Sequence, residues 1–341
     1  MFSLITGANG FIGSHLTRFL VGQGEQIRVL VRPQSDLRSL KGLEVEFAYA
    51  DLREANSLPP ALRNVQRVYH VAADYRLWAK NPQEIYESNV TGTRNLLAAA
   101  RHAGIGRFIY TSSVGTLVPR HPRELPDERT QLRLKDMIGH YKRSKFLAEQ
   151  EALEAARNGQ PMVIVNPTTP VGPGDWKPTP TGRIILDFLN GKMPAYVDTG
   201  LNFVAVEDVA RGHWLAAERA QIGERYILGD RNLTLKQLLE ILSALSGRPV
   251  PRLRLPHAAP FLAALADSLA ARILRRPPRI PLESVRLARH KMFVDSSKAR
   301  RELEFQPSPL EAALERAIRW YNENGYLKKP LRVHSGRECA A

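Results

Sequence analysis

Cysteine is almost absent from this 341-residue chain. The single one is Cys339, so no disulfide can form within it, a pattern that fits a reducing compartment. Long apolar runs are missing as well. The least charged long stretch, residues 256–274, contains Asp267, Arg272 and prolines at 256 and 260, and falls short of the ~20 apolar residues a spanning helix needs. A strand-like run, FSLIT, begins at residue 2 and passes straight into a glycine turn, so no signal or transit peptide is expected and the location read is cytoplasmic. The nine histidines are scattered, with no pair at metal-ligand spacing beside carboxylates, and no internal repeat or long disordered linker interrupts the chain. No metal is expected.

Acidic residues are the scarcer charge. Forty-nine Lys/Arg against 34 Asp/Glu leave +15. Residues 248–301 hold 13 of the former and three of the latter, so a net +10 lies in one late segment. A solvated surface, an anionic membrane or acidic substrate, and nucleic acid are the three accounts of such a segment. Nucleic acid is disfavoured, because no helix-turn-helix, zinc-finger or RNA-recognition signature accompanies the charge.

What the chain does have is alternation. Apolar runs at 2–6, 27–31, 45–50, 68–73, 107–113 and 161–167 are separated by helical patterns such as 11–21 and 84–103. Continuous apolar strands between helices predict a doubly wound parallel sheet covered on both faces. After Pro167 helices dominate (206–220, 234–246, the 260s, 281–290 and 310–324). The expected architecture is α/β: a nucleotide-binding domain over 1–167 with contributions from about 200–230, a smaller and mostly helical substrate lobe over 168–327, and a loose tail over 328–341.

The turn after the first strand, TGANGFIG, has glycines at 7, 10 and 13. A chain turning sharply into a helix while its backbone approaches a pyrophosphate needs glycine there, and the helix N-terminus then offers free N–H groups to the anion. The strand before and the amphipathic helix after supply the context that a bare glycine triplet lacks. The second strand ends in Arg32, with Arg38 and Lys41 soon after. NAD-selective sites place Asp or Glu near this point, whereas a guanidinium suits a 2′-phosphate. NADP(H) is therefore favoured over NAD(H), the competing account being that Arg32 caps a solvent-facing strand end. Asp51 after the third strand either accepts a hydrogen bond from the adenine amino group or forms a turn.

Tyr141 and Lys145 are four apart in a helical pattern and share one face. A phenol with a pKa near 10 is a poor acid–base group at neutral pH. A lysine ammonium one turn away stabilises its phenolate, and the tyrosine can then pass a proton to a carbonyl or take one from an alcohol. Ser113 would hold the substrate oxygen.

These pieces resemble the extended short-chain dehydrogenase/reductases. The matching motifs are TGANGFIG, Asp51-Leu52, HVAA (70–73), NVTGT (89–93), YTSSVGT (110–116), Tyr141-x-x-x-Lys145 and FVAVEDVA (203–210). The resemblance implies a Rossmann-like fold. It implies Ser113, Tyr141 and Lys145 as catalytic residues. Cofactor contacts would come from Gly7, Asn9, Gly10, Phe11, Ile12, Gly13, Arg32, Asp51, Leu52, Ala72, Ala73, Tyr141, Lys145, Pro167, Thr168 and Thr169. Asn89 would brace the sheet, and the helices carrying Tyr141 and 84–103 would form a homodimer. Arg32 and YTSSVGT resemble the dihydroflavonol 4-reductase branch. The stretch NPTTPVGPGDWKPTPTG (166–182) is similar to bacterial hopanoid-associated sugar epimerases, implying hydride transfer on a small-molecule or lipid-linked sugar or polyol. The alternatives are a nucleotide-sugar epimerase/dehydratase with tightly bound NAD, or a non-catalytic NADP sensor.

Two segments remain. The proline-rich stretch is expected to form the wall between cofactor and substrate, with Trp176 and Lys177 as substrate contacts. Asn166 stands where many relatives have arginine, which removes a charge near the site. Residues 256–279 pair helically spaced apolar residues with RILRRPPR. This is either an apolar face lying in a lipid headgroup layer, giving peripheral contact at the inner membrane face, or a core helix with a basic exit.

Overall fold

The computed structural model describes residues 1–119, 124–274 and 276–331. Cys339, Arg275 and the expected tail from 332 onward lie outside the described residues. The strands in chain order are β1 (Phe2–Thr6), β2 (Gln26–Val31), β3 (Glu46–Tyr49), β4 (Arg67–His70), β5 (Arg107–Thr111), β6 (Met162–Pro167), β7 (Thr169–Val171), β8 (Ala195–Val197), β9 (Gly200–Ala205), β10 (Arg225–Leu228), β11 (Arg231–Thr234), β12 (Leu253–Leu255) and β13 (Lys291–Met292). The helices are α1 (Phe11–Gly22), α2 (Gln83–Tyr86), α3 (Gly92–His102), α4 (Gly139–Arg157), α5 (Pro180–Leu189), α6 (Val206–Arg219), α7 (Leu235–Ser246), α8 (Ala258–Ile273), α9 (Leu282–Leu287), α10 (Ser297–Glu302) and α11 (Leu310–Glu323).

Seven parallel strands form the central sheet in the order β10-β6-β5-β4-β1-β2-β3. The order reverses between β1 and β4, which opens a crevice at the carboxyl ends of those strands, the usual ligand position in such sheets. The middle strands are apolar on both faces because helices cover both. One core packs β1, β2 and β6 against α1 and α6, and the other packs the opposite face against α3 and α4. The doubly wound expectation thus holds. The sequence pattern missed β10, four residues that complete the sheet at its edge. The expected single helix over 84–103 is interrupted: a π-helical turn over 87–91 separates α2 from α3.

A second cluster joins α5, α7 and α11 to a sheet of β7, β9, β11 and β13. The proline-rich stretch is therefore not irregular throughout. Its residues 169–171 pair in parallel with β9, and Thr179 caps α5 with Pro180 at the first helical position.

Candidate active site

At the crevice, Gly7 lies in the left-handed region at φ +68°, and a Cβ there would sit 2.6 Å from Ala72 Cα. A Cβ on Gly13 would sit 2.1 Å from the Gly7 carbonyl oxygen. These contacts let the turn fold on itself while β1, α1 and the Ala72-Ala73 segment meet. The first turn of α1 has no side-chain cap and no acidic residue, so its N–H groups are free to receive an anion. Asn9 ties this turn to the next one by donating to the Asp36 carbonyl at 3.2 Å, and Ser39 Oγ donates back to the Asn9 carbonyl at 3.1 Å. Phe11 stacks edge-on against His15, and Ile12 packs on the core below. The residues fit a dinucleotide pyrophosphate. Gly13→Ala is expected to weaken dinucleotide binding at least tenfold, read by fluorescence titration, because the turn must open to admit the methyl group.

Arg32 is exposed and forms no ion pair among the described residues, but it lies close enough to Asp51 to help lower that carboxyl. Asp51 is held first by Arg53, whose Nη2 is 2.6 Å away. That bidentate pair occupies the oxygens expected to serve adenine, and Arg53 was not legible as a partner beforehand. Leu52 meets Gly92, where a Cβ would lie 3.0 Å from the leucine Cβ. Arg38 likewise grips Asp36, holding its carboxyl down to about 2.

Ser113, Tyr141 and Lys145 converge beyond β5. Ser113 caps a short turn by accepting from Gly115 N at 3.1 Å, and its hydroxyl lies close enough to the Tyr141 phenol to act on that group's pKa. Burial raises the phenol's pKa, and the nearby Ser113 hydroxyl opposes the rise. Lys145 is 2% exposed. Its Nζ donates to Tyr110 Oη at 3.0 Å and to the Thr111 carbonyl at 2.7 Å. Burial lowers it to about 7, opposed by the Glu149 charge. His70 is packed and is no base. Its ring nitrogens meet Thr6 Oγ1 at 2.7 Å and Thr93 Oγ1 at 2.9 Å, and burial drops its pKa to about 3. Asn89, in the π turn, clamps Asp74 backbone N–H and C=O and donates to Ser144 Oγ at 2.9 Å. It fixes the β4 exit loop to the helix that carries Tyr141.

Three placements differ from the sequence reading. Asn166 is fully buried and donates to the Ser113 carbonyl, Thr116 Oγ1 and Glu149 Oε2 at 3.1–3.2 Å. It supports the Ser113 turn from below rather than altering charge in the crevice. Trp176 packs edge-on against Trp320 at 4.9 Å, lies under the Arg38 guanidinium and accepts from Tyr326 Oη through its carbonyl. Lys177 is exposed near Asp36. Both thus lie against the turn after β2, and neither lines the small cavity beside Lys142. That cavity is bounded by Gly115, Asp136, Ile138, Lys142, Leu287 and Met292 among others. Thr168 N donates to the Leu228 carbonyl at 3.0 Å, so Pro167, Thr168 and Thr169 leave β6 along the crevice with their outer strand neighbour fixed.

Lys142 was not singled out by the sequence. It follows Tyr141, and burial lowers it to about 8. Its Nζ reaches Met292 Sδ at 3.5 Å. A Cβ on Gly115 would lie 3.2 Å from Lys142 Cε and 3.3 Å from Ser113 Oγ, so glycine lets the lysine pass beside the serine. No group of three or more His, Cys, Asp or Glu among the described residues could hold a metal.

Comparison with known proteins agrees with this geometry. Residues 3–229 match the NAD dependent epimerase/dehydratase family. A putative dihydroflavonol 4-reductase from Synechocystis is 44% identical over 95% of each chain. Sterol demethylase protein B from Methylococcus capsulatus is 39% identical, over 96% of this chain and all of that one. The crystal structure of gox2253 superposes with a TM-score of 0.86 at 45% identity, over 96% of this chain and 99% of that one. More distant structures with the same fold hold NAD. The chain therefore belongs to the NAD-dependent epimerase/dehydratase family of extended short-chain dehydrogenase/reductases, whose members related to it are reductases, epimerases and dehydratases.

Proposed function

We propose that this enzyme is an NADP(H)-dependent reductase acting at a carbonyl or carbinol carbon of a polycyclic terpenoid or of a sugar-like or polyol group attached to one. The carrying observation is the Ser113 hydroxyl set close to the Tyr141 phenol, with buried Lys145 one turn along the same helix. A bound nicotinamide supplies or takes up the hydride. Ser113 holds the substrate oxygen, and Tyr141 donates the proton to it. Lys145, as the ammonium, stabilises the phenolate so formed. Asn89 and Asn166 keep the helix and the serine turn in register.

The name of the Synechocystis relative supports reduction, and that of the Methylococcus relative supports a polycyclic substrate. A role in hopanoid metabolism is part of the same reading, through the likeness of residues 166–182. The unpaired Arg32 supports a 2′-phosphate. Arg32→Ala is expected to raise the NADPH Michaelis constant about tenfold and leave that for NADH little changed, consistent with losing one charge-assisted contact. An unchanged NADPH constant would remove the preference. Epimerisation is the second reading, favoured by the family match. Nucleotide absorbance that survives gel filtration of the purified protein would support it, because an epimerase reuses a bound cofactor.

A further inference from the structure

Helix α8 is turned inside out. Leu262, Leu265, Leu269 and Ile273 recur at helical spacing and are 62, 44, 63 and 77% exposed, with Leu274 beside them at 66%. The inward positions are alanines: Ala264 is fully buried and Ala271 is 5% exposed. A core helix would carry the leucines inward. Five large apolar side chains thus form one contiguous exposed stripe, unlike the single scattered apolar residues of ordinary surface. No helix among the described residues is long and apolar enough to cross a membrane.

Near this helix the charge is positive. Arg279, Arg286 and Arg289 are exposed without ion pairs among the described residues, the last lying over the Phe261 ring. The only acid on α8, Asp267, is taken by Arg276 at 2.6 Å and by the Arg279 and Ile280 backbone. The surface also reaches the catalytic end. Packed on α8, α9 meets the start of α4, where Glu283 accepts from His140 N. Leu287, His290 and Met292 then line the cavity that holds Lys142 and Gly115.

We propose that α8 lies in the headgroup layer of an anionic bilayer, its leucine face in the lipid and the neighbouring Arg279, Arg286 and Arg289 on the phosphates, so that lipid-borne substrate arrives where α9 meets the start of α4. Apolar insertion together with basic anchoring is the physical basis of such binding. A second copy of this chain fits less well, because a twofold contact through this face would bring together the Arg279, Arg286 and Arg289 of both copies, which have no ion pairs among the described residues. Substrate delivery rests on the reading under Proposed function; docking does not.

The test is co-sedimentation of the full chain with phosphatidylcholine vesicles, with and without phosphatidylglycerol, at low and high salt. Binding is expected only with the anionic lipid and weakens with salt. A variant with Leu262, Leu265, Leu269 and Ile273 each changed to Gln is expected to bind at least about tenfold more weakly. The triple variant Arg279→Glu, Arg286→Glu and Arg289→Glu is also expected to lose binding. Both keep wild-type cofactor affinity and thermal midpoint. Absence of wild-type binding at low salt overturns the proposal. So does undiminished binding of the glutamine variant, which would leave adsorption through charge alone, or a wild-type dimer that this variant converts to monomer without any lipid binding. Turnover of a short water-soluble ketone, unchanged in both variants, checks the catalytic reading separately. Its absence in wild type would sink that reading and leave docking standing.

Discussion

Tyr141→Phe is expected to lower kcat for the proposed NADPH-dependent carbonyl reduction by about 10²- to 10⁴-fold, the range supplied by a positioned general acid, while dinucleotide affinity stays essentially unchanged. The phenylalanine keeps the ring and removes only the hydroxyl that meets Ser113. Lys145 still bonds Tyr110 and the Thr111 carbonyl, so its ammonium remains where it was. Single-turnover reduction followed at the NADPH absorbance band reads the chemical step directly. A rate within about tenfold of wild type would mean that another group delivers the proton.

The same geometry sets a pH profile. Tyr141 must begin as the neutral phenol, and burial keeps it neutral to a higher pH than usual. Lys145 must be charged, and burial lowers it to about 7. Raising the pH therefore leaves the tyrosine competent but discharges the lysine. The rate of reduction is expected to fall as pH rises through about 7. The pH dependence of kcat, with the cofactor saturating, checks this.

Some of this site was legible in the chain because its constraints are local. The spacing of Gly7, Gly10 and Gly13 follows from one turn, and the Tyr141–Lys145 pair follows from one helical face. Other parts depend on residues that only the fold brings together. Trp176 looked free to touch substrate, yet its partner Trp320 lies on α11 and Arg38 follows β2. Asn166 lies next to the end of a strand aimed at the crevice, but side chains alternate along a strand, and this one points into a buried polar cluster. The periodicity of α8 defined an apolar stripe without saying which way it faced. That depended on Ala264 and Ala271 being small enough to pack closely, leaving the leucines outside. The strand β10 was too short to stand out as a run, and its place is fixed by pairing with β6.

That buried polar cluster carries the second large expectation. Glu149→Ala is expected to destabilise the fold by about 3–5 kcal/mol, the cost of removing one partner of a buried ion pair, and to lower the melting midpoint by about 4–7 °C. Glu149 is 1% exposed. Its carboxylate accepts from Ser112 Oγ, from Thr116 Oγ1 at 2.7 Å, from Asn166 Nδ2 at 3.1 Å and from Arg225 Nη1 at 3.1 Å. Truncation strands those donors in a space with little water, and an unmet buried donor costs its desolvation. Arg225 still reaches the Glu128 carbonyl, which brings the loss toward the lower end of the range. Glu149→Gln keeps the volume and one acceptor oxygen, so its loss of stability should be clearly smaller. It also removes a charge that holds Lys145 up, so the fall in reductive rate should move to a pH below 7. Denaturant titration at pH 6 and the pH–rate profile of the two variants separate the effects. A glutamine variant with unaltered stability and a displaced profile would mean that Glu149 acts chiefly by charge on Lys145. A melting midpoint for Glu149→Ala within about 2 °C of wild type would show that the strand-end network does not hold the active-site turn in place.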